Sequence, residues 1–448
     1  MKIAVTGGSG QLGTLVLRRL IADKNIKEVL AIDLRPPAVA GAKIRMLRAD
    51  IRQLNFAEYL HGCDILIHLA FVVTRYLPRP EFDAINIEGS KNVFRAAAAA
   101  GVKHIVYASS IAAYGTVPGH PNPIVETTPR HYHHAMPYAA AKYRVEEFLD
   151  EFETQHPNII VTRFRPAILL GVYMEHPFGQ TLRRRRIISR GDTPIPIVWD
   201  EDVAEAMMLA IRAGAHGAFN LAAETPLNAA ELARIGKLQL PKLPQGLLLI
   251  LVYASIPLTK LGISAAIDPA WLKEAKGVLI VSSEKARQEL KWQPHCPAAA
   301  DVIKKYVEIV PKQLDARLAR FFRVLGLAAR WQRPTPMQQQ VSARIHLALT
   351  GATGGDLMLS LNRGRLSIEK RIPRPPTAVV RLSAATLLDL LAGRVDFTAA
   401  LMTGKIHQEG EPTGMTALHS LVTTFRANTA QRGLRGWLAR RLVRKLTT

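Results

Sequence analysis

The sequence predicts an α/β fold built on a doubly wound parallel sheet with helices on both faces. Two observations lead to this prediction. Short, continuous apolar runs alternate with stretches of helical periodicity through the first half of the chain. The first run also leads directly into a glycine-rich turn that opens a helix, Gln11–Ala22. The apolar runs are Ile3–Val5, Val29–Ile32, Ile65–Leu69, His104–Ala108 and Ile159–Arg163, and the later helical stretches include Ser90–Ala100 and Ala140–Glu153.

The turn after the first run, residues 7–13, has the spacing of a dinucleotide-binding turn. We expect Gly7 to turn the chain sharply, Gly10 to let the backbone approach a pyrophosphate, and Gly13 to let the helix pack closely on the strand. Free N–H groups at the helix start favour such an anion. The second run ends at Asp33, where a carboxylate would accept hydrogen bonds from an adenosine ribose. An ordinary strand–turn–helix is the alternative.

Length and composition narrow the classes of protein to consider. A chain of 448 residues with 48% hydrophobic content predicts two or three domains with ample cores. The only cysteines are Cys63 and Cys296, which argues against a disulfide framework or a zinc site and favours a reducing, cytoplasmic compartment. Because the sequence starts with an apolar strand, we expect no signal peptide.

Positive charge is concentrated in the C-terminal third. Of the formal net charge of +23, +15 lies in residues 311–448, which hold 22 lysines and arginines against seven acidic residues. Such a surface attracts nucleic acid or anionic lipid about equally on charge alone. A solvated basic face without a partner is the alternative.

A tyrosine and a lysine four residues apart, Tyr138 and Lys142, form the most informative constellation. On a helix the two residues share one face. A nearby ammonium or nicotinamide cation favours the phenolate, so Tyr138 would exchange a proton with a substrate hydroxyl or carbonyl near neutral pH. We expect Ser110, at a strand end beside Ser109, to hydrogen-bond the same oxygen. A surface pair without function is the alternative.

Residues 1 to about 310 resemble an extended short-chain dehydrogenase/reductase of the NAD-dependent epimerase/dehydratase and 3β-hydroxysteroid dehydrogenase group. Short motifs in the family's order carry the resemblance. They are Thr6–Gly13, Asp33, Asp50-Ile51, His68–Ala70, Asn86–Asn92, Tyr107–Ser110 with Tyr114-Gly115, Tyr138-x-x-x-Lys142, Arg165-Pro166, Asp202–Ala204 and Ala286-Arg287 through Pro294.

The resemblance implies the cofactor NAD, no metal, and a homodimer. Tyr138 would be the catalytic acid or base, Lys142 would lower its pKa and hold the nicotinamide ribose, and Ser110 would orient the reacting oxygen. Asp33 favours NAD over NADP because a carboxylate repels a 2′-phosphate, although Arg35 close by weakens this inference. The residues expected to bind the dinucleotide are Gly7, Gly10, Gln11, Leu12, Gly13, Asp33, Asp50, Ile51, Leu69, Ala70, Asn86, Ser109, Tyr138, Lys142 and Pro166, with Asp50 and Ile51 beside the adenine.

By the same resemblance, residues 165–310 would build most of the substrate lobe. There, Arg183–Arg186 would contact a substrate phosphate or form a solvated helix face. The histidine-rich loop 131–134 would line the substrate entrance or lie in solvent. The apolar stretch Leu247–Ile256 is too short to span a bilayer, so it predicts a buried helix or a lid beside the entrance.

We place the dehydrogenase/reductase domain at residues 1–325, a linker at 326–337, a second domain at 338–428 and a basic tail at 429–448. Leu314–Trp331 predicts a basic amphipathic helix across the first boundary. Four alternating strands and then two helices predict an α+β fold for the second domain. The strands are Ala343–Leu349, Asp356–Leu361, Arg365–Glu369 and Thr377–Arg381, and the helices are Ser383–Leu391 and Phe397–Thr403.

The second domain resembles a sterol carrier protein type 2 domain. The resemblance rests on Gly354–Leu359, Asn362–Leu366, Thr386–Gly393, Asp396, Met402–Ile406 and Gly410. It implies an apolar ligand held between sheet and helices. A packed domain that serves only as a docking module is the alternative.

Three functions remain open at this point. The first is an NAD-dependent oxidoreductase for a lipid-like alcohol or ketone, such as a sterol, hopanoid or isoprenoid. The second is a nucleotide-sugar epimerase or dehydratase with tightly bound NAD, in which Arg183–Arg186 would bind pyrophosphate. The third is a non-catalytic NAD-binding scaffold, against which the intact Ser110, Tyr138 and Lys142 argue.

The basic tail favours a peripheral hold on the anionic inner face of a membrane, at ~1 kcal/mol for each basic residue near the surface. It shows neither an aromatic stacking platform nor a reading helix, so we expect no nucleic-acid partner.

Overall fold

The computed structural model divides the chain into two compact units, Met1–Val310 and Pro311–Thr448. The residues that the structure describes are 1–37, 39, 41–73, 77–171, 177–183, 186–187, 192–241, 279–309, 318, 322, 343–350, 355–362, 365–369 and 376–430. Within these residues no helix is long and apolar enough to cross a membrane.

The first unit is built on a seven-stranded, wholly parallel sheet with the strand order β3-β2-β1-β4-β5-β6-β9. This confirms the predicted α/β fold. Two strands, β3 and β9, were not among the predicted runs. The strands are β1 Lys2–Thr6, β2 Glu28–Asp33, β3 Ile44–Arg48, β4 Ile65–His68, β5 His104–Ala108, β6 Ile160–Pro166 and β9 Gly217–Leu221, and a separate parallel pair is β7 Ile168–Leu170 and β8 Ile197–Trp199.

Helices cover both faces of this sheet, as a doubly wound fold requires. One apolar cluster includes Val16 of the first helix and Met207 of the seventh, and another includes Phe94 and Val145 from the helices of the opposite face. The described helices of this unit are α1 Gln11–Ala22, α2 Phe56–Leu60, α3 Arg79–Asp83, α4 Gly89–Ala99, α5 Pro137–Gln155, α6 Pro177–Arg183, α7 Asp200–Ala213, α8 Ala229–Gly236, α9 Glu284–Glu289 and α10 Ala299–Ile309, with a π-helical turn at Ala84–Glu88 and a 3₁₀ turn at Ile111–Tyr114.

The strand order reverses direction at β1, which pairs with β2 on one side and β4 on the other. Ligands of open α/β sheets bind beside such a reversal, at the carboxyl ends of the strands. The chain after β1 turns there at Gly7, whose φ of +73° suits glycine. A Cβ on Gly7 would lie 2.6 Å from the backbone nitrogen of Ala70, so the ends of β1 and β4 are held close together.

The second unit contains a five-stranded mixed sheet with the order β12-β11-β10-β13-β14. Only the β10–β13 pair is parallel. Strands precede most of the helices, which confirms the predicted α+β fold. The elements are β10 Ala343–Thr350, β11 Gly355–Asn362, β12 Arg365–Glu369, β13 Ala378–Ser383, β14 Ile406–Gly410, α11 Ala384–Ala392, α12 Phe397–Met402 and α13 Thr413–Ala430.

Two residues from the predicted amphipathic segment 314–331 pack into the core of this second unit. Leu318 and Phe322 are 2% and 1% exposed and belong to the same apolar cluster as Ile345, Leu347 and Leu421. Their spacing of four residues places them on one side of a helical turn. The core of the second unit therefore starts at least twenty residues before its first strand.

Truncating Phe322 tests this packing. We expect Phe322→Ala to destabilise the second unit by about 3–5 kcal/mol, because a buried ring would be replaced by a cavity. Met402→Ala, at a side chain 84% exposed, should change stability little. Urea unfolding followed by circular dichroism measures both. Equal, small effects of the two substitutions would contradict the assignment of Phe322 to the core.

Candidate active site

The structure brings Ser110, Tyr138 and Lys142 together beyond the carboxyl end of β5. Ser110 follows β5, is 9% exposed, and its hydroxyl accepts a hydrogen bond from the Ala112 N–H at 3.2 Å. Tyr138 is the second residue of α5, and its hydroxyl and that of Ser110 are hydrogen-bonded to each other. Lys142 lies one turn further along α5, on the same face of the helix as Tyr138, with its ammonium 5.9 Å from the centroid of the Tyr138 ring.

Lys142 is buried among aromatic rings. Its ammonium donates hydrogen bonds to the Ala108 carbonyl at 2.7 Å and to the Tyr107 hydroxyl at 3.2 Å. It lies 3.6 Å from the centroid of the Phe71 ring and 5.9 Å from that of Tyr138. Within the described residues it has no ion pair. Phe71 was not singled out from the sequence, because a single aromatic residue after a strand carries no signal of its own.

Burial has the largest effect on the ionisation of Tyr138 and Lys142 in the free protein. It raises the pKa of Tyr138 to about 12, while the hydrogen bond from Ser110 acts in the opposite direction. It also lowers the pKa of Lys142 well below its ordinary value, against the attraction of Glu146. Desolvation is thus the largest influence on the pKa of Tyr138 in the free protein, and the expectation that Lys142 lowers this pKa stays a prediction.

A buried histidine joins the glycine-rich turn to α4. His68 accepts a hydrogen bond at Nδ1 from Thr6 at 2.6 Å and donates one from Nε2 to Ser90 at 2.9 Å. The Ser90 hydroxyl donates to the Asn86 carbonyl, so it must accept from His68, and this fixes the tautomer. Burial and then the charge of Lys142 lower the pKa of His68 to about 3, so it stays neutral.

Glu146 is a buried carboxylate that sequence reasoning missed. It accepts hydrogen bonds from the Ser109 hydroxyl, from Arg165 Nε at 2.9 Å and from Arg130 at 2.8 Å, and Arg163 lies 3.9 Å away. Burial raises the pKa of Glu146, but the charge and hydrogen bonds of Arg165, with Arg130 and Arg163, lower it to about 2. The cluster fixes the Ser109 end of β5 against α5 and β6.

A signal for this cluster exists in the sequence. Glu146 follows Lys142 by four residues, so the two share a helix face. Arg163 and Arg165 are two residues apart on β6 and therefore point to the same side of the sheet. Two arginines on one side of a buried strand require an acidic partner.

The glycine-rich turn fits an anionic ligand. Gly10 is the N-cap of α1 and has no side chain to cap the helix, so the first N–H groups of α1 are left for a ligand. A Cβ on Gly10 would contact only the Gly7 carbonyl, at 3.1 Å, which leaves the approach to the helix start open. A Cβ on Gly13 would instead overlap the Gly7 carbonyl and Gly8. The residues present therefore fit a dinucleotide pyrophosphate.

Other predicted cofactor residues lie around this turn. Asp33 accepts hydrogen bonds from the backbone N–H groups of Ser9 and Arg35, each at 3.1 Å. Leu69 donates its N–H to the Thr6 carbonyl at 3.1 Å. Leu12 and Ala70 are partly buried beside the turn, and Pro166 is buried at the end of β6.

Four predicted cofactor residues are engaged within the protein. Asp50 forms an ion pair with Arg52 at 2.6 Å, and Ile51 is buried in the core. Ser109 is bound to Glu146. The side-chain amide of Asn86, in the π-helical turn, holds the backbone of Val72 through bonds of 2.7 and 3.0 Å. Asn86 thus shapes the loop that carries Phe71, and its direct contact with a dinucleotide stays a prediction.

Some predicted features lie outside the described residues. They include the apolar stretch 247–256, Arg184 and Arg185, the whole predicted linker 326–337 and the basic tail from 431 onward. Arg186 is exposed, and its Nε donates to the Gln239 side chain at 3.1 Å. In the histidine-rich loop, His131 is exposed and donates its backbone N–H to the Tyr114 carbonyl at 2.9 Å.

Two family models match the chain. Residues 3–222 match the NAD dependent epimerase/dehydratase family, and residues 328–423 match the SCP-2 sterol transfer family. The first match covers the glycine-rich turn, Ser110, Tyr138 and Lys142. The second covers the five-stranded mixed sheet.

Curated relatives match only part of the chain. A 3 beta-hydroxysteroid dehydrogenase/Delta 5-->4-isomerase of Monkeypox virus is 28% identical over 160 residues, which is 33% of this chain and 44% of the relative. An uncharacterised protein of Mycobacterium tuberculosis is 37% identical over 111 residues, 25% of this chain and 12% of the relative. The chain thus spans less than half the length of these curated relatives.

Solved structures resemble the first unit in fold. A UDP-glucose 4-epimerase of Thermotoga maritima, solved with UDP-glucose, superposes with a TM-score of 0.54 at 23% identity, over 69% of this chain and 98% of the epimerase. The two family models, together with the parallel sheet and its glycine-rich turn, identify residues 3–222 as a domain of the NAD dependent epimerase/dehydratase family, joined to a domain of the SCP-2 sterol transfer family at residues 328–423.

Proposed function

We propose that the chain is an NAD-dependent oxidoreductase that interconverts a secondary alcohol and a ketone on a lipid-like substrate. The observation that carries the proposal is that Ser110, Tyr138 and Lys142 lie together at the carboxyl end of β5, in the same parallel sheet whose first strand leads into the glycine-rich turn. The hydrogen bond between the Ser110 and Tyr138 hydroxyls supports a site for one substrate oxygen. Bound NAD would supply the hydride acceptor or donor, held through Gly7, Gly10, Gly13 and Asp33.

The protein's own residues would manage the proton. Tyr138 would take the proton from a substrate hydroxyl, or return it to a carbonyl, while Ser110 holds the same oxygen in place. For this role the raised pKa of Tyr138 must fall, and a positive charge nearby is what lowers it. Lys142 would provide that charge on turning from Tyr107 toward the dinucleotide ribose.

The lipid part of the proposal rests on the second unit. The domain at residues 328–423 belongs to the SCP-2 sterol transfer family. One relative of the first unit is a 3 beta-hydroxysteroid dehydrogenase/Delta 5-->4-isomerase. A covalent tether to a lipid-carrying domain would keep a poorly soluble substrate at high effective concentration. Sterol, hopanoid and isoprenoid alcohols fit this description.

We also propose peripheral contact with anionic lipid through the tail 429–448, on the basis of its charge alone, and a homodimer, on the basis of family resemblance. A nucleotide-sugar epimerase with tightly bound NAD remains the second candidate for the reaction, since the fold of the first unit is shared with UDP-sugar epimerases.

The phenol of Tyr138 gives the first test. Tyr138→Phe should lower turnover by at least about 100-fold, because general acid–base catalysis is lost, while NAD affinity changes little. Tyr143→Phe, one helical turn along α5 at a hydroxyl that contacts Glu147, serves as the matched control and should keep full activity. Steady-state rates and NAD titration by fluorescence measure both. An activity that survives in Tyr138→Phe would mean that the acid–base assignment is wrong.

The glycine-rich turn gives the second test. Gly10→Ala should weaken NAD binding more than tenfold, since the added methyl group blocks the approach of the pyrophosphate, and it should leave the melting temperature almost unchanged. Gly41→Ala, away from the turn, should bind NAD like the parent protein. Calorimetric titration measures the NAD dissociation constant of both variants. An unchanged NAD affinity in Gly10→Ala would show that the dinucleotide does not bind at this turn.

The substrate class gives the third test. Extraction of the gently purified full chain, followed by mass spectrometry, should yield an apolar alcohol or ketone, and assays with sterol-like alcohols should release free NADH. A clean extract, with tightly bound NAD and turnover of a nucleotide sugar without NADH release, would establish the second candidate instead.

A further inference from the structure

A buried acidic side chain, Asp200, lies next to the dinucleotide turn and has no part in the site described so far. It is the first residue of α7 and is 4% exposed. Its Oδ2 accepts a hydrogen bond of 2.7 Å from the side-chain amide of Gln11, the first residue of α1. A Cβ on Gly171, just after β7, would overlap the Asp200 carboxylate, so only a glycine at position 171 leaves room for this side chain.

Among the residues that the structure describes, no basic side chain forms an ion pair with Asp200. From α1 it meets the neutral amide of Gln11, and from β7 the side-chain-free Gly171. On its own helix the nearby charged groups are the acidic Glu201 and Asp202, and the Glu201 backbone N–H donates to Asp200. The basic side chains at the α1–α7 contact lie further along and pair elsewhere, Arg19 with Glu205 at 3.1 Å and Arg212 with Asp23 at 3.3 Å.

This environment makes the carboxyl group easy to protonate. The pKa of Asp200 is raised to about 7: burial is the largest cause, the charges of Glu201 and Asp202 act in the same direction, and the hydrogen bonds from Gln11 and from the Glu201 backbone act against it. A pyrophosphate at the start of α1 would bring two more negative charges to the neighbourhood of Gln11. Negative charge favours the neutral form of a carboxyl group.

We propose that Asp200 is a positioning residue of the dinucleotide site, which fixes Gln11 at the helix start and takes up a proton when the dinucleotide binds. The proposal rests on the dinucleotide site proposed above. Through the hydrogen bond between Gln11 and Asp200, binding of the dinucleotide at the turn after β1 would then affect α7 and β7. Both elements follow β6 in the chain. It also makes dinucleotide affinity depend on pH.

The sign of the dependence follows from linkage. When a bound anion raises the pKa of a carboxyl group, the complex holds more protons than the free protein, and affinity falls as pH rises through the pKa of the free protein. Below about pH 6 the carboxyl group is already protonated and affinity is flat. Above that, the NAD dissociation constant should rise by up to about tenfold, for a shift of one unit.

Calorimetric titration of the full chain with NAD, from pH 6 to 8.5 and in two buffers of different ionisation enthalpy, tests the proposal. The parent protein should bind with net proton uptake near pH 7.5 and should lose affinity as pH rises. Asp200→Asn, which keeps an acceptor for Gln11 but cannot titrate, should bind without this uptake and should be up to about tenfold tighter than the parent at pH 8.5. Glu205→Gln, which removes the same charge from the same helix, should retain the parent's pH dependence.

Each outcome bears on one claim. Absence of proton uptake in the parent protein, or uptake that persists in Asp200→Asn, overturns the role of Asp200. Should Asp200→Asn fail to fold, the absence of proton uptake in the parent protein and in Glu205→Gln would still overturn the role of Asp200, because this measurement needs no change at position 200. Failure to bind NAD at any pH would instead overturn the proposed function.

Discussion

The candidate active site depends on the burial of Lys142, because burial disfavours the charged form of its side chain. The ammonium is surrounded by the rings of Phe71 and Tyr107, and its hydrogen-bond partners are a carbonyl and a phenol. Desolvation therefore disfavours both charged forms that the proposed mechanism needs, the ammonium of Lys142 and the phenolate of Tyr138. We therefore propose that neither charged form is favoured in the free protein. The positive charge and the ribose hydroxyls of a bound dinucleotide would then stabilise the ammonium and the phenolate.

The surroundings of this site are held by buried, hydrogen-bonded polar groups. Glu146 accepts hydrogen bonds from the Ser109 hydroxyl and from Arg165, and these bonds fix the position of Ser109 at the end of β5. His68 is locked as a neutral tautomer between Thr6 and Ser90. These groups cannot change ionisation near neutral pH, so they act as rigid supports. Tyr138, Lys142 and Asp200 are different, because their ionisation is the part that a charged ligand would alter.

Much of the fold followed from the sequence because its signals are local. Continuous apolar runs predicted β1, β2, β4, β5 and β6, and the glycine-rich turn placed the start of α1 at Gln11. β3 was missed because its residues Ile44–Arg48 alternate with arginines at a sheet edge, and β9 because it begins at Gly217. The site was harder to predict. Ser110, Tyr138 and Lys142 have a recognisable spacing. Glu146 was missed although its spacing from Lys142 and the arginine pair on β6 gave a signal, whereas Phe71 and Asp200 acquire their roles only through tertiary contacts with residues distant in sequence.

The central claim is that a bound dinucleotide lowers the pKa of Tyr138, and nuclear magnetic resonance of ¹³Cζ-tyrosine-labelled protein measures this directly. With Tyr138→Phe to assign the signal, the account predicts that Tyr138 stays a phenol up to at least about pH 10 in the free protein and ionises at distinctly lower pH with NAD bound. A Tyr138 pKa that is the same in the free and the NAD-saturated protein would contradict it.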